Sequence, residues 1–100
     1  MHPIWLARLD KTRPVLVLTR DEVRDVRKLV TVAPIHSTVR GLHSEVAVGR
    51  DNGLDHESAA NLDFITTISR SALIRPLGAL LPQQERDLTR AFHEAFDLED

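Results

Sequence analysis

Short runs of aliphatic and β-branched residues, separated by turn-forming residues, restrict the fold of this 100-residue chain more than any other feature. Such runs are typical of β-strands, whereas a helix places apolar residues every three or four positions. We predict turns at Asp10-Lys11-Thr12, at Gly41 and at Arg50-Asp51-Asn52-Gly53, the last because an Asn-Gly pair favours a tight turn. The strands predicted around these turns are residues 4–9, 15–18, 29–35, 45–48 and 62–68.

The segments that connect the predicted strands carry further local signals. Residues 20–28 form a charged connection in which only Val23 and Val26 are expected to turn inward. Pro34 lies near the end of the third predicted strand and indicates an edge position or a bulge, because proline cannot donate to a strand ladder. Ser69 is expected to cap a single helical turn over residues 69–73.

One stretch near the C-terminus has helical periodicity. The helix is predicted to begin near Pro82, since proline is tolerated in the first turn of a helix. One apolar stripe is expected to pack on the sheet as core, and its members are Leu88, Ala91, Phe92, Ala95 and Phe96. Strands followed by a helix predict one domain over residues 1–100, of the α+β, mainly β class, with five to six strands in a small barrel or strongly curled sheet.

Composition argues against several functional classes. The chain has no cysteine, which excludes disulfides, thiolate metal sites and thiol nucleophiles, and which favours the cytoplasm. Its longest aliphatic run, residues 15–18, is far too short to span a membrane, so we expect no membrane association. The five histidines include no pair at zinc-ligand spacing, and no phosphate-binding glycine motif is present. We therefore expect neither a metal nor a cofactor.

Charge is unevenly distributed along the chain. The net charge is −2, but residues 1–50 carry nine Lys or Arg against five Asp or Glu, whereas residues 51–100 carry four against ten. A basic half is suited to contact with phosphates while the acidic half stays in solvent. The alternative is that opposite charges are interleaved on the folded surface.

Polar residues cluster at the ends of two predicted strands. Arg13 opens the second strand, and His36-Ser37-Thr38 closes the third, with Arg40 following. If the two strands pair antiparallel, the end of the third lies beside the start of the second. A guanidinium next to an imidazole and two hydroxyls is suited to a phosphate oxyanion. The alternative is a group of solvated strand ends with no shared function.

Five segments, in order, resemble the MazF/PemK family of toxin endoribonucleases. Arg13-Pro14-Val15-Leu16-Val17-Leu18 is similar to the family's most recognisable strand. The other similar segments are residues 4–6, 30–35, 65–73 and 78–82. The resemblance implies an SH3-like barrel of the CcdB/PemK type with a C-terminal helix. It also implies a homodimer, sequence-selective cleavage of single-stranded RNA, and a cognate MazE-like antitoxin whose tail lies in the groove of the toxin.

The resemblance also assigns roles to individual residues. Arg13 matches the family's catalytic arginine, and the position of its catalytic threonine holds His36, followed by Ser37. We expect Arg13 to stabilise charge on the phosphate, His36 to act as base or acid, and Ser37 to complete the catalytic set by a hydrogen bond to a phosphate oxygen. The residues expected to bind RNA are Lys11, Thr12, Thr38, Arg40 and Thr66.

Two departures from the family leave alternatives open. Besides His36 in place of threonine, the loop between the first two strands is only Asp10-Lys11-Thr12 and lacks the family's common G-x-E-x-x-G stretch. The candidates for stacking with bases are Trp5 and Phe64, with a core position as the alternative for each. The functional alternatives are a CcdB-like toxin that binds gyrase without catalysis, and a degenerate RNA-binding module that has lost its activity.

Overall fold

The structure, a computed structural model, describes residues 1–20 and 26–98. Over these residues it contains seven strands, three short 3-10 turns and one α-helix. The elements are β1 (Pro3–Arg8), β2 (Thr12–Val17), β3 (Leu29–His36), β4 (Glu45–Val48), β5 (Ser58–Asn61), β6 (Thr66–Ser69), β7 (Leu73–Ala79) and α1 (Pro82–Phe96). No helix in this part of the chain is long and apolar enough to cross a lipid bilayer.

The strands form one curled antiparallel sheet in the order β4-β5-β3-β2-β1-β7, with β6 pairing with β3 outside this path. All the strand pairs are antiparallel. The class predicted from the sequence, mainly β with a C-terminal helix, is therefore confirmed. The sheet is a half-barrel, and it has seven strands in the described residues rather than the five or six predicted.

The structure differs from the prediction around residues 62–68, where β5 and β6 lie. Residues Leu62–Phe64 form a 3-10 turn, and only Thr66–Ser69 form a strand, so a single strand over this stretch was wrong. The preceding strand Ser58–Asn61 was missed. Its sequence, Ser-Ala-Ala-Asn, has no β-branched residue, and all four of its residues are buried between β3 and β4. Close packing rather than strand propensity determines this element.

β7 was also missed, because Pro76 and Gly78 interrupt its apolar pattern. It pairs with β1 through two register shifts, which accommodate these residues. Gly78 is required there, since a Cβ atom at this position would lie 2.1 Å from the carbonyl oxygen of Asn52. The 3-10 turn that contains Asn52 is thereby held against β7.

Three local predictions have mixed outcomes. The inward orientation of Val26 was wrong, because this side chain is 79% exposed, and Val23 lies outside the described residues. Pro34 is in an interior strand rather than at an edge, but it lies between the stretches of β3 that pair with β6 and with β5. Its missing N–H therefore interrupts neither ladder. Ser69 caps the 3-10 turn after β6 as predicted, by accepting the N–H of Ser71.

Side chains from opposite faces of β2 and β3 enter two apolar clusters. Leu16 and Ile35 belong to the larger cluster, which lies under the helix α1. Val15 and Val32 belong to the smaller cluster, which Trp5 covers in part. Because both faces of these two strands are buried, their backbone is held firmly, and so are the side chains at their ends.

The helix α1 begins at Pro82 as predicted, but its stripe is narrower than expected. Leu88 and Ala91 are buried, whereas Phe92 and Phe96 are 40% and 49% exposed, so the core assignment of the two phenylalanines was wrong. Leu88, Ala91 and Ala95 form one row against the sheet, and each phenylalanine lies at the flank of that row. The two rings contact each other instead, with centroids 4.8 Å apart.

Candidate active site

Antiparallel pairing of β2 with β3 brings Arg13 to His36, as the sequence predicted. The register pairs Val15 with Pro34, and continuing it towards the start of β2 places Arg13 opposite His36. Nη1 of Arg13 donates a hydrogen bond to Nδ1 of His36 over 2.7 Å. The Arg13 side chain is only 16% exposed, so its charge is held at one place rather than moving freely in solvent.

This hydrogen bond fixes the protonation of the imidazole. A guanidinium can only donate, so Nδ1 of His36 must accept, and a neutral ring then carries its proton on Nε2. Burial lowers the pKa of His36 from its ordinary value of 6.5, and the positive charges of Arg13 and Arg40 lower it further. Asp10 and Glu45 oppose this change. His36 is therefore neutral at pH 7, with the lone pair of Nδ1 directed at Arg13.

Arg13 and His36 lie on the wall of an open cavity of about 760 Å³. All but one of the catalytic and RNA-binding residues expected from the sequence line this cavity. Those that do are Lys11, Thr12, Arg13, His36, Ser37, Thr38 and Arg40. Thr66 does not, because it lies in β6, opposite Val32, with its side chain exposed elsewhere. Phe64 also lines the cavity, whereas Trp5 packs against the smaller apolar cluster.

Glu45, at the start of β4, was not anticipated from the sequence. Its side chain is buried, and one carboxylate oxygen, Oε1, accepts the N–H groups of Arg40, Gly41 and Leu42 at 3.2, 2.9 and 3.2 Å. These three bonds fasten the loop that carries Thr38 and Arg40. Gly41 has a φ of +72°, which favours glycine, and the turn itself begins one residue later than predicted, where the N–H of Glu45 donates to the carbonyl oxygen of Leu42.

Asn61 and Arg75 are further cavity residues that the sequence analysis missed. Asn61 ends β5, and Arg75 lies in β7, so both belong to strands that had not been recognised as such. Asn61 and Arg75 could have been assigned to the cavity only if these two strands had been recognised. Arg75 adds a cation to Lys11, Arg13 and Arg40 around the same space.

The cavity combines fixed cations with hydroxyl groups and one exposed aromatic ring. This set can bind a phosphodiester, because arginine donates to phosphate oxygens in pairs and serine or threonine hydroxyls donate singly. Phe64, 58% exposed, offers a face for a base. Within residues 1–20 and 26–98, no three His, Asp or Glu side chains are grouped so that they could hold a metal ion.

Comparisons with known proteins identify the family of the chain. The sequence model of the family described as "PemK-like, MazF-like toxin of type II toxin-antitoxin system" matches residues 3–96. Endoribonuclease MazF3 of Mycobacterium tuberculosis is 50% identical over 99 residues, which cover 99% of this chain and 96% of that protein. The solved structure of Mycobacterium tuberculosis toxin MazF-mt6 is also 50% identical, with a TM-score of 0.94 over 98% of this chain and 99% of that one.

A more distant structure shares the fold. It is described as an endoribonuclease in complex with its cognate antitoxin from a mycobacterial species. It is 21% identical, with a TM-score of 0.85, and the match covers 99% of this chain and 95% of that one. The matches to the family model and to MazF3 both cover nearly all of the sequence, including β2 and the end of β3. The chain therefore belongs to the family of PemK-like, MazF-like toxins of type II toxin–antitoxin systems.

Proposed function

We propose that this chain is an endoribonuclease toxin that cleaves single-stranded RNA selectively at certain sequences, without a metal ion. The observation that carries the proposal is the Arg13–His36 pair, a fixed guanidinium and a neutral imidazole 2.7 Å apart on the wall of an open cavity. RNA holds its own nucleophile, the 2′-hydroxyl, next to each phosphorus atom. The enzyme therefore needs only a base, a source of positive charge and groups that align the phosphate.

In the proposed reaction the 2′-oxygen attacks phosphorus and the bond to the 5′-oxygen breaks. Nδ1 of His36 accepts the 2′-hydroxyl proton once the guanidinium of Arg13 turns from the ring to the phosphate. Arg13 then stabilises the charge that develops on the phosphorane oxygens. The products are a 2′,3′-cyclic phosphate and a 5′-hydroxyl, whose proton comes from solvent. Nδ1 is the ring nitrogen suited to this role, because Nε2 carries the proton and is buried.

The remaining cavity residues hold the substrate. Ser37 completes the catalytic set, since its hydroxyl follows His36 directly and can donate to a phosphate oxygen. Thr38 and Arg40, on the loop that Glu45 fastens, contact the phosphate together with Lys11 and Thr12, since all four line the cavity. Thr66 is exposed on β6 away from the cavity, so any RNA contact that it makes is a peripheral one.

The proposal includes a cognate antitoxin as partner and the cytoplasm as the place of action. The description of the family, type II toxin–antitoxin system, supports an antitoxin protein. The cations Lys11, Arg13, Arg40 and Arg75 around the cavity suit an acidic, MazE-like tail, which would compete directly with RNA. RNA available to such an enzyme is cytoplasmic, and the lack of cysteine agrees with that location.

We also propose a homodimer, because a domain of this size gains stability from pairing and the described surface exposes large apolar side chains such as Leu29 and Ile74. Sedimentation equilibrium at micromolar concentration is expected to give about twice the 11.3 kDa mass of one chain. A single species at the mass of one chain would contradict the dimer.

Incubation of the purified protein with a long RNA and EDTA tests the proposed activity. We expect discrete fragments whose pattern is the same with and without the chelator, and no cleavage of DNA. A gyrase-binding toxin leaves the RNA intact, and so does a degenerate module, which retards it in a gel without cutting it. Cleavage that EDTA abolishes would contradict the metal-independent mechanism. An Arg13→Ala protein prepared in parallel excludes a contaminating nuclease.

A further inference from the structure

The loop between β3 and β4 has little packing of its own. Its residues 37–43 are all exposed, and they include the apolar Val39 and Leu42. Thr38 and Arg40 of this loop nevertheless line the cavity. Ordering an exposed loop costs conformational entropy, which buried apolar contacts usually offset. Here another interaction has to hold the loop in place.

The carboxylate of Glu45 accepts three successive backbone N–H groups of this loop. Its Oε1 lies 3.2, 2.9 and 3.2 Å from the nitrogens of Arg40, Gly41 and Leu42. Gly41 has a positive φ, which helps to turn the three N–H groups towards one point. Successive N–H groups that converge in this way form a nest, a concave site that binds anions. Glu45 fills the nest with a carboxylate of the same chain.

Glu45 is a firm anchor for the loop. Its backbone carbonyl oxygen accepts Nη2 of Arg90 in α1 over 3.1 Å, and β4 pairs it with Asn61 in β5. Its side chain is buried, and it forms no ion pair with a lysine or arginine in the described part of the chain. A buried carboxylate is costly unless hydrogen bonds satisfy it, and the loop N–H groups do so here.

We propose that Glu45 is a positioning residue, whose carboxylate holds Thr38 and Arg40 in place for an RNA phosphate before RNA binds. The proposal rests on the proposed function, since the phosphate belongs to the same RNA site. Such preorganisation strengthens binding, because the entropy of ordering the loop is not lost when RNA enters. It also gives a reason for a negative charge in a cavity suited to an anion, since positioning by Glu45 outweighs its repulsion.

The affinity for RNA separates positioning from a simple effect of charge, because the two predict opposite signs. Glu45→Ala removes a negative charge from the cavity, so electrostatics alone predicts tighter binding. Release of the loop predicts binding about tenfold weaker. The probe is a mixed-sequence, single-stranded RNA with 2′-O-methyl riboses, which cannot be cleaved by attack of the 2′-oxygen. Binding by a folded Glu45→Ala protein that is as tight as wild type, or tighter, would overturn the proposal.

Two control variants isolate the charge of Glu45 and the other tie of the loop. Asp10→Asn removes a negative charge 3.8 Å from Nη2 of Arg13, but Asp10 bonds to the N–H of Lys11 and not to the loop. This variant should bind the RNA slightly more tightly. Glu94→Gln removes the exposed pair of Glu94 with His43, whose charged atoms are 3.7 Å apart, and should bind as wild type does.

Hydrogen exchange of backbone amides, followed by NMR, tests the nest without RNA. In Glu45→Ala the amides of Arg40, Gly41 and Leu42 should exchange at least about tenfold faster, because each loses a bond to a charged acceptor. The amides of β3 should keep their rates, which shows that the variant is folded. Sodium acetate should slow the three loop amides again by entering the vacated nest, whereas sodium chloride at the same concentration should not.

Unchanged exchange of the three amides in Glu45→Ala, or equal effects of the two salts, would exclude the nest and with it the proposal. Neither the affinity nor the exchange measurement depends on cleavage. A protein that gives both expected results but cuts no RNA would therefore refute only the catalytic proposal.

Discussion

Replacing Arg13 with lysine is expected to lower the rate of RNA cleavage by about 10²–10³, although the positive charge is kept. The planar guanidinium can hold two phosphate oxygens at once, whereas an ammonium group acts as a single point charge. Arg13 is largely shielded from solvent and lies beside His36, so its guanidinium needs only to turn from the ring to reach the phosphorane. Arg13→Ala should lose at least as much activity as Arg13→Lys.

The rate is measured under single-turnover conditions, so that slow product release does not mask the chemical step. Arg75→Lys provides the matched control, because Arg75 lines the same cavity but forms no bond with His36. It should change the rate by only a few-fold, since it alters phosphate attraction without altering the reacting centre. A folded Arg13→Ala protein with the wild-type rate would remove Arg13 from the mechanism.

Cleavage is also expected to fall at low pH, with the midpoint of the acidic limb below 6.5, the ordinary pKa of histidine. The direction of this pH dependence follows from the role of His36 as the base. Protonated His36 has no lone pair with which to accept the 2′-hydroxyl proton, so activity is lost as pH falls through its pKa. Burial and the charges of Arg13 and Arg40 lower that pKa and hence the midpoint. His36→Ala should lose about 10²–10⁴ in rate, which is the usual contribution of a general base.

Variants at His36 and Ser37 separate the imidazole mechanism from its alternative. His36→Thr restores the residue type expected from the family and should remove the acidic limb, because a hydroxyl does not titrate near neutrality. In Arg13→Ala the pKa of His36, followed by NMR, should rise, since one nearby positive charge is gone. A pH–rate profile that His36→Ala leaves unchanged, together with a large loss in Ser37→Ala, would assign the catalytic role to Ser37 instead.

The placement of Arg13 beside His36, the pair proposed to be catalytic, was predictable from the sequence because it depends on one strand pairing. Two aliphatic strands with polar residues at adjacent ends need only pair antiparallel for Arg13 to meet His36, and they do. The family resemblance agreed with this placement and is confirmed by the family match. The short connection between β1 and β2 was also evident, and it leaves Lys11 exposed at the rim of the cavity.

The rest of the cavity depends on tertiary packing that single segments do not reveal. β5 and β7 contain small residues, proline or glycine at positions where β-branched residues are typical of strands. The two strands were therefore not predicted, and Asn61 and Arg75 were not assigned to the cavity. Thr66 lies outside the cavity because the 3-10 turn Leu62–Phe64 precedes β6, which pairs with another part of β3. The burial of Glu45 follows from its three hydrogen bonds, which no pattern of hydrophobic residues can indicate.

The chemical identity of the product ends tests the proposed function most directly. A synthetic RNA that spans one mapped cleavage site is digested in EDTA, and the new termini are determined by mass spectrometry. Attack by the 2′-hydroxyl predicts a 2′,3′-cyclic phosphate on one fragment and a 5′-hydroxyl on the other. It also predicts no cleavage when the ribose at that site is 2′-deoxy. A 3′-hydroxyl with a 5′-phosphate, or cleavage of the 2′-deoxy RNA, would contradict the mechanism proposed for Arg13 and His36.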